Sequence, residues 1–201
     1  MVIILGICGR RGAGKDTFAS ALAPLGYRRV AFADPLKDVA RRLFRLSHAQ
    51  VHGTVEQKET PDPRWTTPEH PEGLTPRFIL QRLGTEVGRT IHPDIWVYAL
   101  LHHIDECTAG LDGGIVLRFA LTDVRFPNEV AAIRARAGGR IVKLVRTDYA
   151  VDTSIADHDS ERLVDAIQAD WTVEAPSGRV DLIQAAALRI ASEITEGEEP
   201  R

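Results

Sequence analysis

The residues best suited to bind a ligand or take part in a reaction form one short stretch near the start of the chain. Residues 9–17 read GRRGAGKDT and directly follow the apolar run Val2–Cys8. A glycine, four residues and then Gly-Lys, placed between a strand and a helix, is the spacing of a loop that binds the phosphates of a nucleoside triphosphate. Glycines let backbone N–H groups close around an anion, and the lysine adds a positive charge. The predicted ATP-binding residues are Gly9, Arg10, Arg11, Gly12, Ala13, Gly14, Lys15, Asp16 and Thr17.

The residue after the loop lysine departs from the usual pattern, in which a Ser or Thr hydroxyl binds Mg²⁺. Here that position is Asp16, and Thr17 follows one place later. Because a carboxylate beside a triphosphate is repelled unless a cation lies between them, we expect Asp16 to bind Mg²⁺ directly or through water. The alternative is a glycine-rich turn that binds no ligand.

A second set of polar residues follows the apolar run 115–121, which leads into TDVRFPNE. A run this apolar predicts a strand covered on both faces, as in a parallel sheet. Ligands of open α/β sheets lie at the carboxyl ends of strands, so Asp123 and Arg125 are expected to face the phosphate loop. Asp123 is suited to accept from a Mg²⁺-bound water and Arg125 to bind a phosphate. The alternative is that the two residues form an ion pair with each other.

Two predicted helices between these sets carry further candidates. In FADPLKDVARRLFRL, Asp34 is expected to cap a helix whose first position is Pro35. A helix beginning near residue 76 has polar side chains off its apolar face, and positions 77 and 81 are neighbours because they are four residues apart. These side chains either grip one small polar ligand or form a solvated face. They are Arg77, Gln81 and Arg82.

Composition narrows the class of protein. The chain has 201 residues, a net charge of −3 and a pI near 6.2, which favours one α/β domain and argues against a nucleic-acid polymer as partner. The two cysteines, Cys8 and Cys107, are expected to stay reduced. No run approaches the ~20 apolar residues that span a bilayer, and the N-terminus begins in a predicted core strand. We therefore expect a cytoplasmic protein without a membrane partner.

The order of the predicted elements indicates an α/β fold with a doubly wound parallel sheet of about five strands and helices on both faces. Residues 1–201 are predicted to form a single domain around the phosphate loop. Its predicted parts are a core of 1–33 and 112–195, a helical substrate-binding insertion of 34–107 and a short lid at about 147–160. The proline-rich residues 52–76 are predicted to lack secondary structure, as a mobile loop over the substrate or a passive insertion.

The insertion favours a kinase over a simple ATPase, because a kinase must hold an acceptor in line with the γ-phosphate and exclude water. Five motifs then carry a resemblance: GRRGAGKDT, FADPLK, RFILQRLGTEVGR followed by DIWV, TDVRFPNE and DHDSE. In this order they resemble the deoxynucleoside monophosphate kinases of tailed phages, and Gly-Lys-Asp is part of that pattern. The resemblance implies that residues 1–201 form a single P-loop kinase domain. The chain is also similar to animal phosphomevalonate kinases, which offer the alternative of a non-nucleotide phosphate acceptor.

The resemblance implies ATP and Mg²⁺ as cofactors, and a location in the host cytoplasm if the protein is phage-encoded. It implies in-line transfer of the γ-phosphoryl to a 5′-monophosphate, with Arg146 approaching the transferring group and Arg10 and Arg11 adding charge. Asp16 and Asp123 remain the metal candidates, and Lys15, Asp16, Arg125 and Arg146 the catalytic ones. The acceptor candidates are Asp34, Lys37, Arg77, Gln81, Arg82, Trp96, Asp123 and Arg125.

Some positions stay open at this level. The turn after the last strand reads APSG rather than an Asn-rich sequence, so the adenine contacts are not assigned. His158, Ser160 and Glu161 fit the resemblance and are interpreted as capping the following helix. A nucleobase needs a platform such as Phe32, Trp65 or Trp96, whereas an isoprenoid phosphate does not. Monomer and homodimer, and a nucleotide-binding regulator without transfer activity, remain alternatives.

Overall fold

The computed structural model describes residues 1–111, 114–148 and 159–197, without the side chains of residues 159–162. The strands in these ranges are β1 (Val2–Cys8), β2 (Tyr27–Val30), β3 (Leu117–Val124), β4 (Gly139–Arg146) and β5 (Trp171–Ala175). The helices are α1 (Lys15–Leu22), α2 (Ala33–Phe44), α3 (His48–His52), α4 (Val55–Glu59), α5 (Pro76–Gln81), α6 (Ile95–Thr108), α7 (Pro127–Arg134), α8 (Asp159–Ala166) and α9 (Val180–Glu196). A 3₁₀ turn covers Ala23–Leu25, and a π-helical segment covers Arg82–Arg89.

The chain divides into two compact units. The first unit comprises Met1–Ala31 and Asp105–Arg201, and the second comprises Phe32–Ile104. The division of the sequence into a core and an insertion within one kinase domain stays a prediction.

The first unit contains one sheet with the strand order β2-β3-β1-β4-β5, and every pairing is parallel. Its central strand β1 is almost entirely buried, as expected for a strand with neighbours on both edges and helices on both faces. Helices α1 and α9 pack together beside the sheet, and α7 lies against β1 and β4. The predicted doubly wound fold is confirmed.

The register of this sheet explains why polar residues gather at one edge. Cys8, the last residue of β1, pairs with Val124 near the end of β3 and with Lys143 of β4. The phosphate loop therefore starts where β3 and β4 also approach their carboxyl ends. Cys8 itself is fully buried, and burial raises the pKa of its thiol to about 11. Cys107 is half-buried, and the reduced state of both cysteines stays a prediction.

The second unit differs from the expectation for residues 52–76. That range was expected to lack secondary structure, but α3 ends in it and α4 lies within it. The reason is local: Ser47 with Gln50, and Thr54 with Gln57, each form a reciprocal capping box at the start of a short helix. The sequence signal for these boxes, Ser or Thr followed three residues later by Gln, was present.

A buried carboxylate organises the rest of the proline-rich stretch. Asp62 is 4% exposed and accepts hydrogen bonds from Gln50 Nε2 (2.9 Å), Arg64 Nε (2.8 Å) and Arg64 Nη2 (2.5 Å). The backbone of Asp62 also pairs with that of Leu74 (N to O, 2.9 Å). These bonds give residues 60–75 a defined path.

In the second unit, α5 begins where the sequence predicted, whereas α2 does not. Thr75 caps α5, accepting from the backbone N–H of Phe78 at 3.1 Å. Asp34, expected to cap α2, instead lies inside its first turn, because the helix begins at Ala33, two residues earlier than expected, and its N-cap is Phe32. In the described residues, no helix is long and apolar enough to cross a membrane.

Candidate active site

The phosphate loop has the backbone conformation that its glycines predicted. Gly9, Gly12 and Gly14 have φ angles of 151°, 77° and 90°, which residues with a Cβ rarely adopt. A Cβ at Gly9 would also lie 2.6 Å from the carbonyl oxygen of Leu144. Since Gly14 is the N-cap of α1, the helix presents its first N–H groups and its positive dipole end to the loop.

Lys15 is the first residue of α1 and folds back over the loop. Its Nζ donates to the carbonyl oxygens of Gly9 (2.7 Å) and Arg10 (2.9 Å). The ammonium group is therefore held inside the curve of the loop. A cation at this position suits the charge of a polyphosphate.

Arg10 lies in the loop but points to α8. Its Nε and Nη2 donate to the two carboxylate oxygens of Asp165 at 3.2 and 2.5 Å, and this guanidinium holds the pKa of Asp165 below its usual value. The Asp165 carbonyl accepts from Lys143 Nζ at 2.8 Å. Sequence reasoning missed Asp165, because it is 155 residues away from Arg10.

Arg146, at the end of β4, is held by a carboxylate two residues further on. Its Nε donates to Asp148 Oδ1 at 2.9 Å, and the backbone N–H of Ser177 donates to the same oxygen at 2.9 Å. The guanidinium lowers the pKa of Asp148. A Cβ built on Gly12 would lie 3.8 Å from Arg146 Nη1, which places the guanidinium beside the phosphate loop. Most of the predicted lid, residues 149–158, and the predicted capping residue His158 lie outside the described residues.

Asp16, the unusual residue of the loop, forms an ion pair with Arg29 of β2. Both side chains are largely exposed, Asp16 by 77% and Arg29 by 55%. Mg²⁺ in kinases is usually held by one or two carboxylates together with phosphate oxygens and water, and an exposed carboxylate in the first turn of α1 fits that donor set. The described ranges contain no group of three or more His, Cys, Asp or Glu side chains that would hold a metal by themselves.

The end of β3 is positioned by a buried glutamate. Glu129 is 3% exposed, and its Oε2 accepts from the backbone N–H groups of Arg125 (2.7 Å) and Phe126 (3.1 Å). This fixes the chain direction just beyond the half-buried Asp123, and the Arg125 side chain is exposed. Sequence reasoning missed Glu129, although Pro at the first position of a helix and Glu at the third is a recognisable helix start.

In the second unit, each predicted acceptor-side cation has a carboxylate partner. Lys37 Nζ lies 3.2 Å from an oxygen of Asp34, Arg77 pairs with Glu59, and Arg82 pairs with Glu86. The Arg82 guanidinium also lies 5.2 Å from the centroid of the Phe78 ring. Gln81 is exposed. The unit thus brings several predicted acceptor residues onto α2, α5 and the π-helical segment.

Trp96 has a structural contact that its sequence did not reveal. Its indole Nε1 donates to the carbonyl of Gly84 at 2.9 Å, and a Cβ at Gly88 would lie 2.5 Å from the Trp96 ring. The two glycines, four residues apart in the π-helical segment, let the ring pack on the backbone. Val87, in the same segment, is half-exposed.

Comparison with known proteins identifies the family. A protein of Acanthamoeba polyphaga mimivirus with the provisional name deoxynucleotide monophosphate kinase is 38% identical over 170 residues, which cover 80% of this chain and 81% of that protein. The chain belongs to the same family of P-loop kinases. No family model matches the sequence.

A solved kinase structure shares the fold of this chain. Dephospho-CoA kinase from Campylobacter jejuni aligns with a TM-score of 0.54 and 13% identity, covering 98% of this chain and 99% of that one. The protein TT1252 from Thermus thermophilus aligns with a TM-score of 0.49 and 16% identity over 94% and 97% of the two chains. The sheet and phosphate loop described above are those of the P-loop kinase fold.

Proposed function

We propose that the protein transfers the γ-phosphoryl group of ATP to the phosphate of a deoxynucleoside 5′-monophosphate. The observation that carries this proposal is the 38% identity to the mimiviral protein over four fifths of both chains. The phosphate loop supports the ATP part, because Lys15 and the first turn of α1 offer an ammonium group and backbone N–H donors to a polyphosphate.

The proposed chemistry needs positioning and charge rather than a general base. The acceptor phosphate is already ionised near neutral pH, so its oxygen can attack the γ-phosphorus without prior proton removal. Lys15 and the loop N–H groups hold the donor phosphates, Arg146 neutralises charge on the transferring group, and Arg125 orients the acceptor phosphate. Magnesium, when bound, adds charge neutralisation at the phosphates, and Asp16 and Asp123 are the proposed residues that hold it.

The acceptor side of the proposal involves residues of the second unit. Arg77, Gln81 and Arg82 offer donors on adjacent turns, and Lys37 with Asp34 offers a cation and an acceptor. Trp96 is proposed to support the nucleotide through the π-helical segment on which its ring packs. A donor set of this kind suits an anionic, hydroxyl-bearing acceptor.

A substrate panel tests the proposal. Purified protein is incubated with ATP, Mg²⁺ and each common deoxynucleoside monophosphate, the ribonucleotide counterparts, and phosphomevalonate. We expect a diphosphate product and stoichiometric ADP with at least one deoxynucleotide. Turnover with phosphomevalonate alone would replace the proposed acceptor class, and ATP binding without turnover of any acceptor would favour a nucleotide-binding regulator.

A further inference from the structure

Asp148 lies at the meeting point of two parts of the first unit. One part is Arg146 beside the phosphate loop, and the other is the turn after β5. A single oxygen, Asp148 Oδ1, accepts from Arg146 Nε at 2.9 Å and from the backbone N–H of Ser177 at 2.9 Å. The backbone adds a parallel link, because Thr147 N donates to the carbonyl of Ala175 at 3.2 Å.

The hydrogen bond to Asp148 uses Nε of Arg146 and does not involve its Nη1. A guanidinium has five donors in a rigid fork, and Asp148 engages the Nε edge. The opposite end points to the loop, since Nη1 would lie 3.8 Å from a Cβ on Gly12. The carboxylate therefore fixes the direction of the arginine without occupying its phosphate-facing nitrogens.

The turn that donates to Asp148 has a defined geometry. Residues 176–179 form a β-turn in which Arg179 N donates to Pro176 O at 3.3 Å and Gly178 has φ 79°. A glycine with positive φ at the third position is typical of a type II turn. Its second position, Ser177, thus directs its N–H outward to Asp148.

We propose that Asp148 is a positioning residue that directs the Arg146 guanidinium towards the terminal phosphate of ATP and links its orientation to the turn after β5. This inference rests on the proposed function, because it assigns Arg146 to the γ-phosphate. The side-chain part of this coupling runs through one carboxylate oxygen, so the loss of either donor or of the acceptor removes it, whereas the backbone bond of Thr147 remains.

The first experiment measures the preference for ATP over ADP by titration calorimetry without any acceptor. A residue that aims Arg146 at the γ-phosphate contributes to ATP affinity and little to ADP affinity. We expect Asp148→Ala to lower the ATP-to-ADP affinity ratio about threefold to tenfold, as for a partly exposed charge-assisted contact. Arg146→Ala should lower it by a similar factor, and the double variant should show no further loss.

The second experiment removes only the donor in the turn. Proline is favoured at the second position of a type II turn, so Ser177→Pro deletes the N–H while keeping the backbone shape. Ser177→Ala is its reference, because it removes the hydroxyl and keeps the N–H. We expect the affinity ratio to fall about twofold to threefold in Ser177→Pro relative to Ser177→Ala, since Asp148 keeps its bond to Arg146.

Two controls separate positioning from general damage. Asp181 forms an ion pair with Arg179, with 2.6 Å between Arg179 Nη2 and Asp181 Oδ2 and the same Arg-x-Asp spacing in the sequence. Asp181→Ala therefore removes an equivalent exposed ion pair and should change the ATP-to-ADP affinity ratio less than twofold. Asp148→Asn retains an acceptor oxygen and should keep most of the ATP preference. If Asp148→Ala does not fold, the comparison of Ser177→Pro with Ser177→Ala still decides the question, because equal affinity ratios in these two variants would overturn the proposal.

Several outcomes would overturn the proposal: an unchanged ratio in Asp148→Ala, a double variant whose losses multiply, or a wild-type protein that binds ATP no more tightly than ADP. Because these measurements use no acceptor, a wild-type protein that binds ATP but phosphorylates nothing would overturn the proposed function without deciding the role of Asp148.

Discussion

The phosphate loop and the helices α2 and α5 present positive charge in different ways. In the loop most of the donors belong to the backbone, because glycines with positive φ and the start of α1 present N–H groups. One ammonium group, that of Lys15, donates to two backbone carbonyls. On α2, α5 and the π-helical segment that follows α5, the charge comes from side chains, and Lys37, Arg77 and Arg82 each have a carboxylate partner.

This difference has consequences for how each region responds to a ligand. A backbone site is formed before the ligand arrives, so little ordering accompanies binding. A side-chain cation with a carboxylate partner must exchange that partner for the ligand, and exposed pairs of this kind contribute little stability. We therefore expect substitutions in the loop to affect the donor strongly, and substitutions on α5 to affect the acceptor more moderately.

The largest expected effect comes from Lys15→Ala, which removes the ammonium group from the loop. We expect kcat/KM to fall on the order of a thousandfold, because the charge acts in the transition state as well as in binding. The midpoint of thermal unfolding should stay close to that of wild type, since Lys15 is only half-buried at the surface. Lys15→Arg, which keeps the charge and changes its shape, is the matched control. A fall of less than tenfold would show that the backbone alone carries donor binding.

The phosphate loop, which is built from neighbouring residues, was easier to predict from the sequence than the ion pairs between distant residues. The loop, its strand and its helix were predicted because their signals are contiguous in the sequence, from Val2 to Leu22, and the parallel sheet followed from the order of the predicted elements. The partners Asp165 of Arg10 and Glu59 of Arg77 could not be predicted, since these pairs join residues distant in sequence. The path of residues 60–75 was also missed, because it depends on the tertiary bonds of Asp62.

The second expected effect concerns the order of the proline-rich stretch. Asp62→Ala leaves Gln50 and Arg64 without their buried acceptor, so we expect a loss of about 2 kcal/mol in the free energy of unfolding. Proteolysis should then cut within residues 60–75 before it cuts elsewhere in the described part of the second unit. Resistance to protease equal to that of wild type would contradict this.

The pH dependence of stability gives a sharper form of this test. Hydrogen bonds from Arg64 hold the pKa of Asp62 well below its usual value, which is near 4 in an unfolded chain. The carboxylate therefore stabilises the fold above that value, and the contribution is lost as the pH falls towards the folded pKa. The stability difference between wild type and Asp62→Asn should be constant above about pH 5 and should narrow below about pH 4.

The third expected effect separates acceptor from donor. Arg77→Ala should raise the KM for the acceptor about tenfold to thirtyfold and leave the KM for ATP within twofold, as for the loss of one charge-assisted contact. Arg41→Ala is the matched control, because Arg41 is another exposed arginine of this unit with an aspartate partner, Asp38, at 4.0 Å. If both KM values rise equally, Arg77 is not specific to the acceptor.

The smallest expected effect concerns Arg29, which pairs with Asp16 at the edge of the loop. If Asp16 binds Mg²⁺, the guanidinium competes with the metal for the carboxylate, and Arg29→Ala should lower the Mg²⁺ concentration needed for half-maximal turnover about threefold. Mn²⁺ binding measured by electron paramagnetic resonance with ATP and no acceptor should tighten by a similar factor. Arg28→Ala is the control, because adjacent strand residues face opposite sides.

Asp16→Ala should act in the reverse direction. Removing the carboxylate should weaken Mg²⁺-dependent turnover more than ATP binding without metal, and it should abolish the gain from Arg29→Ala in the double variant. Equal losses with and without metal would show that Asp16 contributes to the loop in another way, and Arg29 would then serve only to join α1 to β2. The site at the loop edge would in that case resemble α5, where an exposed cation and carboxylate hold each other.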